Sequence, residues 1–260
     1  MLDGLVVAAV AFVAGAGPGM ALQLGLSMTA LQVSIGALND LHDAAEDAGR
    51  KPGKPIPAGL VAVPVARAVA VAGAVVGVGL AAVIDGRLAP LAIAVLLIGY
   101  GYDLVAKGTA WSWLPFAVGI PILPVYGWFG AAGELPDFFA ALVPMAVLAG
   151  AALSIANARA DLERDRAAGS RSVATGLGLE GSWRSHAGLW LLTAAVAHAW
   201  LAFRGAEPLE IAAVAAGVGL IAVVVVWGRA GSPARRERAW ELEAAGAAVT
   251  LVAWLYAAIR

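Results

Sequence analysis

Residues 208–228 read PLEIAAVAAGVGLIAVVVVWG, with one carboxylate, Glu210, near the start and no further charge until Arg229. A helix needs about 20 apolar residues to cross the hydrocarbon core of a bilayer, and this stretch has that length and that uniformity. Working outward, runs of the same kind recur near 2–18, 20–43, 60–84, 88–106, 110–130, 136–158, 183–203 and 237–258. The pattern predicts about nine membrane-spanning helices. The first run is the weakest, being short and broken by Gly17-Pro18. The second carries Gln23, Gln32, Asn39 and Asp40, so it is expected to face other helices or a cavity rather than lipid.

Bulk composition agrees. The 260 residues are 61% hydrophobic and 13% charged, with a mean hydropathy of +0.84. Soluble domains run near 45–50% apolar and about 25% charged, so a bilayer is the solvent that fits. The expected fold class is an all-α integral membrane protein forming a single domain over 1–260. The 32 glycines read as close-packing positions between membrane helices rather than as loops. With no cysteine there is no disulfide framework, thiolate metal site or cysteine nucleophile. No basic patch is interleaved with aromatics, which argues against nucleic acid as a partner. Ala14-Gly15-Ala16 has the form of a signal-peptide cleavage site. The preceding Met1-Leu2-Asp3 has an acid and no Lys or Arg, so the stretch is expected to be retained as a first span.

The connections alternate in charge. Arg50, Lys51 and Lys54 follow the second run, Lys107 the fourth, Arg159 to Arg184 the sixth, and Arg229, Arg235, Arg236 and Arg238 the eighth. The other connections and the end of the chain hold only Arg87, Arg204 and Arg260. Basic connections stay in the cytoplasm, which predicts a multi-pass cell-membrane protein with a cytoplasmic N-terminus.

Two acidic clusters stand at cytoplasmic ends of runs. In Asn39-Asp40-Leu41-His42-Asp43-Ala44-Ala45-Glu46-Asp47, a continuing helix would put Asp40, Asp43 and Asp47 on one face. In Asp161-Leu162-Glu163-Arg164-Asp165, Asp161 and Asp165 share a face in the same way. Such carboxylates repel one another at the end of a membrane helix unless something positive offsets them. Hard oxygen ligands at this density suit Mg2+, which bridges a few carboxylates to substrate phosphates. Facing each other across a cavity, the clusters would hold that ion; solvated acidic faces are the alternative. His42 is a polar bystander in this reading, since Mg2+ prefers oxygen. Arg164 and Glu163 either serve the site or pair with neighbours. Lys51, Lys54, Lys107 and Arg171 are placed to reach phosphate oxygens, against the simpler role of positive-inside anchors. Lys107 stands alone in a short connection after Tyr102-Asp103, where Asp103 could neutralise it as an i,i+4 pair.

With these residues in view, the chain resembles the UbiA superfamily of intramembrane prenyltransferases. The family motif N-D-x-x-D-x-x-x-D is matched by Asn39, Asp40, Asp43 and Asp47, and D-x-x-x-D by Asp161 and Asp165. Lys51-Pro52-Gly53-Lys54-Pro55-Ile56-Pro57-Ala58-Gly59 is similar to the family's basic, proline-rich loop, and Tyr102 to Lys107 to its tyrosine-to-lysine segment. Asp165-Arg166-Ala167-Ala168-Gly169 followed by Arg171 is close to the usual form. Arg164 departs from the pattern, placing a basic side chain between the two aspartates.

The resemblance implies a single UbiA-like bundle around a central cavity opening to the cytoplasmic side. It implies a prenyl diphosphate as substrate and Mg2+ held by Asp40, Asp43, Asp47, Asp161 and Asp165. Asp40, Asp43, Asp161 and Lys107 would carry the catalysis, while Asn39, Lys51, Lys54, Tyr102, Arg164 and Arg171 would bind substrate. The acceptor would be an aromatic small molecule or a lipid, inside membrane lipid. Trp111, Trp113, Tyr126 and Trp128 are candidates to face an allylic cation, or else interfacial anchors. A UbiA-type terpene cyclase without an acceptor is the alternative. A cation transporter fits less well, because the carboxylates gather at one face rather than at the midplane.

Overall fold

The computed structural model describes residues 2–50 and 53–260, with the backbone alone for Glu46 and Arg50. Among the described residues the regular elements are all helices, with no strand: α1 Leu2–Val13, α2 Pro18–Arg50, α3 Val63–Ile84, α4 Leu88–Gly101, α5 Leu114–Ala132, α6 Phe139–Ala160, α7 Leu162–Ala167, α8 Val173–Arg204, α9 Pro208–Trp227 and α10 Pro233–Ala258. A π-helical turn, Tyr102–Ala106, continues α4. Eight helices are long and apolar enough to cross a membrane, and α1, of 12 residues, is shorter than that. About nine spans were expected; Gly15 at positive φ and Gly17-Pro18 close the first run after Val13.

Two boundaries differ from the sequence pattern. Helix α2 runs past the apolar stretch to Arg50, because Ala44, Ala45 and Ala48 favour helix even where the chain turns polar. Helix α8 begins at Val173, ahead of its apolar run, and kinks at Gly178 with φ 71° and ψ 176°, a conformation open only to glycine. Much of the charged stretch after α6 is therefore helical.

The chain forms two compact units: Met1–Val105 with Ile122–Glu134, and Ala106–Pro121 with Leu135–Arg260. In the first unit, α3 lies against α2 through the buried stripe Ala66, Ala70, Gly73, Gly77 and Ala81. A Cβ on Gly73 would lie 2.7 Å from the Ala30 carbonyl oxygen, so the two backbones are nearly in contact. Polar bonds cross the same packing. Ser27 Oγ donates to Gly77 O at 2.7 Å, which leaves Tyr126 to donate to Ser27 Oγ at 2.6 Å. Ser34 Oγ likewise donates to Ala70 O and accepts from Tyr100 at 2.6 Å. Tyr126 is fully buried with its hydroxyl on Ser27, so it serves the packing here.

In the second unit α6 is the most buried helix, with α8 and α10 against it. Trp254 Nε1 donates to Ala197 O at 3.2 Å and Trp183 Nε1 to Val225 O at 3.0 Å, tying α10 and α9 to α8. Glu243, buried on α10, accepts from Trp190 Nε1 at 3.0 Å.

Candidate active site

The first acidic cluster rides on the last turns of α2. Since the helix continues through it, Asp40, Asp43 and Asp47 do lie along one face. The following chain folds back in tight turns: Ala58 N donates to Lys54 O at 2.9 Å and Leu60 N to Pro55 O at 2.9 Å, with Gly59 left-handed at φ 71°. These turns return Lys54 to the helix, where its Nζ lies 2.9 Å from Asp40 Oδ1 and 2.7 Å from Asp47 Oδ2. Burial alone would lower the Lys54 pKa, but hydrogen bonds and charges from Asp47 and Asp40 outweigh it and hold the pKa above 10.5. Asn39 Nδ2 donates to Asp103 Oδ1 at 2.8 Å, and Asp103 is only 3% exposed on the π-helical turn beside Tyr102. His42 Nδ1 lies 3.3 Å from Asp43 Oδ1 at the surface.

The second cluster sits at a helix break. Asp161, at φ −94° and ψ 4°, ends α6 and opens the short α7. Asp165 N still donates to Asp161 O at 2.9 Å, so one turn separates the two carboxylates. Arg164 pairs with Asp161 and Glu163 pairs with Arg236. Arg164 thus makes a local ion pair with one of the carboxylates expected to hold metal. Lys107 and Arg171, 64 positions apart in sequence, have adjoining backbone, since Arg171 N donates to Gly108 O at 3.0 Å. Lys51 lies outside the described residues.

Two arginines that charge patterning assigns to cytoplasmic anchoring are buried instead. Arg159, 3% exposed, donates to the carbonyls of Leu179 at 3.2 Å, Gly228 at 2.9 Å and Arg229. Arg236, 4% exposed, donates to Arg159 O at 3.0 Å, Gly231 O at 2.8 Å and the Glu163 carboxylate. Most of these acceptors are carbonyls at the ends of α6 and α9 and in the α9–α10 connection, and together the two guanidiniums hold the Asp161 turn against that connection. The one sequence sign was the i, i+3, i+7 spacing of Arg236, Ala239 and Glu243, all buried, on a helix begun by Ser232-Pro233.

Does this donor set suit Mg2+? Among the described residues, no three His, Asp or Glu side chains converge to hold a metal by themselves. Mg2+ does not require that, since it is commonly bound by one or two carboxylates together with waters and substrate phosphates. Asp40 and Asp47 already close on one cation, the Lys54 ammonium, with hard oxygens. The residues fit the ion.

Eight apolar helices, with carboxylates at helix ends, define an all-helical, multi-pass membrane protein. Residues 4–248 match the UbiA prenyltransferase family, and the chain belongs to that family. The family membership expected from the two aspartate motifs and the all-α membrane fold expected from the apolar runs are thus borne out. Three solved structures share the fold. A UbiA homolog from Aeropyrum pernix, in its apo form, has 18% identity and TM-score 0.75, over 99% of this chain and 96% of that one. A digeranylgeranylglyceryl phosphate synthase has 16% identity and TM-score 0.74, over 99% and 92%. A UbiA homolog from Archaeoglobus fulgidus bound to GPP and Mg2+ has 20% identity and TM-score 0.73, over 97% and 95%. No curated protein sequence matches this chain.

Proposed function

We propose that this chain is a Mg2+-dependent intramembrane prenyltransferase, moving a prenyl group from a prenyl diphosphate to an aromatic or lipid acceptor. The observation that carries the reading is the grip of Asp40 and Asp47 on a single cation, within the family's first motif. The GPP- and Mg2+-bound relative supports the donor half, and the digeranylgeranylglyceryl phosphate synthase makes a lipid acceptor the first to try.

In this reading Asp40, Asp43, Asp47, Asp161 and Asp165 would be the metal-holding carboxylates. Mg2+, when held by these carboxylates, would supply charge neutralisation that makes the diphosphate a better leaving group. Lys54 exchanges its carboxylates for phosphate oxygens, and Lys107 and Arg171, on adjoining backbone, add positive charge where the departing oxygen gains negative charge. The bond from prenyl C1 to the bridging oxygen breaks, and the diphosphate leaves with the electron pair. The allylic cation is then attacked by the acceptor, which loses a proton as the new bond forms. Apolar helices exclude water from that cation. By the charge pattern, this end of the helices faces the cytoplasm.

The test uses purified protein in liposomes, given prenyl diphosphates of several lengths with and without Mg2+, and with aromatic or glycerol-phosphate lipid acceptors. Released diphosphate and product mass are read. A Mg2+-dependent prenylated acceptor supports the reading. Cyclic hydrocarbon formed without any acceptor would replace it with a terpene cyclase.

A further inference from the structure

Asn39 stands four residues before Asp43 and eight before Asp47, so on α2 it belongs to the same stripe as two of the proposed metal-holding carboxylates. Its amide has two ends of similar shape and opposite chemistry. A carboxylate can only accept, so the end that meets Asp103 must be the NH2 group. The structure has that arrangement, with Nδ2 2.8 Å from Asp103 Oδ1. Turning the amide over would press a carbonyl oxygen against a buried carboxylate. A neutral partner such as asparagine could meet Asn39 either way round. Asp103 cannot, and it comes from a π-helical turn, a local widening that recurs at functional sites.

We propose that Asp103 is a positioning residue, which fixes the Asn39 amide with its nitrogen inward and its carbonyl oxygen presented along the Asp43–Asp47 stripe, as an added hard ligand for the metal–diphosphate complex. The inference rests on the proposed function above, and goes beyond it in giving a task to a carboxylate outside both aspartate motifs.

The experiment measures Mn2+ binding, by loss of the free-ion paramagnetic signal, to purified protein in detergent with inorganic pyrophosphate present. Thermal unfolding without metal is recorded on the same samples. Asp103→Leu is expected to weaken Mn2+ binding about tenfold, the loss of one hydrogen bond to a charged group. Asp103→Asn is expected to weaken it about threefold, since an amide oxygen can still accept but no longer dictates the orientation. Asn39→Asp sets two carboxylates against each other and is expected to weaken binding more than either. Adding Asp103→Asn to Asn39→Asp restores one donor and one acceptor, with an oxygen still outward, and is expected to return binding to within about threefold of wild type.

Wild-type affinity in Asp103→Leu would overturn the proposal. So would a double variant that regains thermal stability without regaining Mn2+ affinity. Where Asp103→Leu does not fold, the comparison of Asn39→Asp with the double variant decides. Failure of the wild type to bind Mn2+ with pyrophosphate would instead overturn the proposed function, and this inference with it.

Discussion

The ammonium of Lys54 lies 2.7 Å from Oδ2 of Asp47, and the same nitrogen reaches Asp40 at 2.9 Å. One lysine from the following loop thus neutralises two carboxylates of α2 that stand seven residues apart. It occupies the place that the proposed chemistry gives to a divalent cation, so substrate metal and lysine compete for the same oxygens. Four predictions follow from this and from the packing around it, each separable from the others by its readout.

Replacing Lys54 with Met removes the tethered competitor. A partly exposed ion pair contributes up to about 1 kcal/mol, so Mn2+ binding without substrate is expected to tighten by up to about fivefold. The KM for prenyl diphosphate should rise in the same protein, because the ammonium no longer meets phosphate. Unchanged metal affinity would show that the ion pair does not compete.

The same contact has a pH signature. The folded pKa of Lys54 lies above its ordinary 10.5, through hydrogen bonds and charges of Asp47 and Asp40 that outweigh burial. A raised folded pKa stabilises the protein fully below the unfolded value, and that stability is lost as pH rises through the folded value. The thermal stability difference between wild type and Lys54→Met should therefore stay flat from neutral pH upward and shrink only above about 10.5. A difference that disappears between pH 7 and 9 would contradict it.

Asp40→Asn and Asp161→Asn each remove a carboxylate from the proposed metal set while keeping its shape. Turnover is expected to fall by about 10²-fold or more, in line with losing one electrostatic group at a developing charge. Unfolding temperature should change little, and retained turnover in either variant would remove that residue from the mechanism.

Arg236→Met strips the donors from Arg159 O, Gly231 O and Glu163 at once. Orphaned buried carbonyls cost about 1–3 kcal/mol each, so for the two of them a loss of about 2–6 kcal/mol is expected. Arg229→Met removes a guanidinium half exposed over Trp183 and paired with Glu180, and should cost under about 1 kcal/mol. Denaturation in mixed detergent, followed by tryptophan fluorescence, separates the two. Equal effects would return Arg236 to the anchoring role that its position in a basic connection suggests.

Much was legible before any coordinate. Apolar runs such as 211–228 announce membrane helices because the bilayer demands a length, and that demand is written one residue at a time. Asn39, Asp40, Asp43 and Asp47 were readable for the same reason, since their spacing is a property of one helix. Arg236 was not. It sits among Arg229, Arg235 and Arg238, and only its helical spacing to Ala239 and Glu243, a pattern found on many helices, separates it from the exposed ones.

The sequence by itself determined the membrane class, most of the spans, the family and the candidate carboxylates, all of which depend on composition or on neighbours within a few turns. The tertiary structure alone decided that Lys54 closes on Asp40 and Asp47, that Asp103 takes the amide of Asn39, and that Arg159 and Arg236 turn inward onto carbonyls. Each of those depends on where the chain brings distant residues together. Charged groups in an apolar surrounding must find partners, and it is the fold that determines which partner lies within reach.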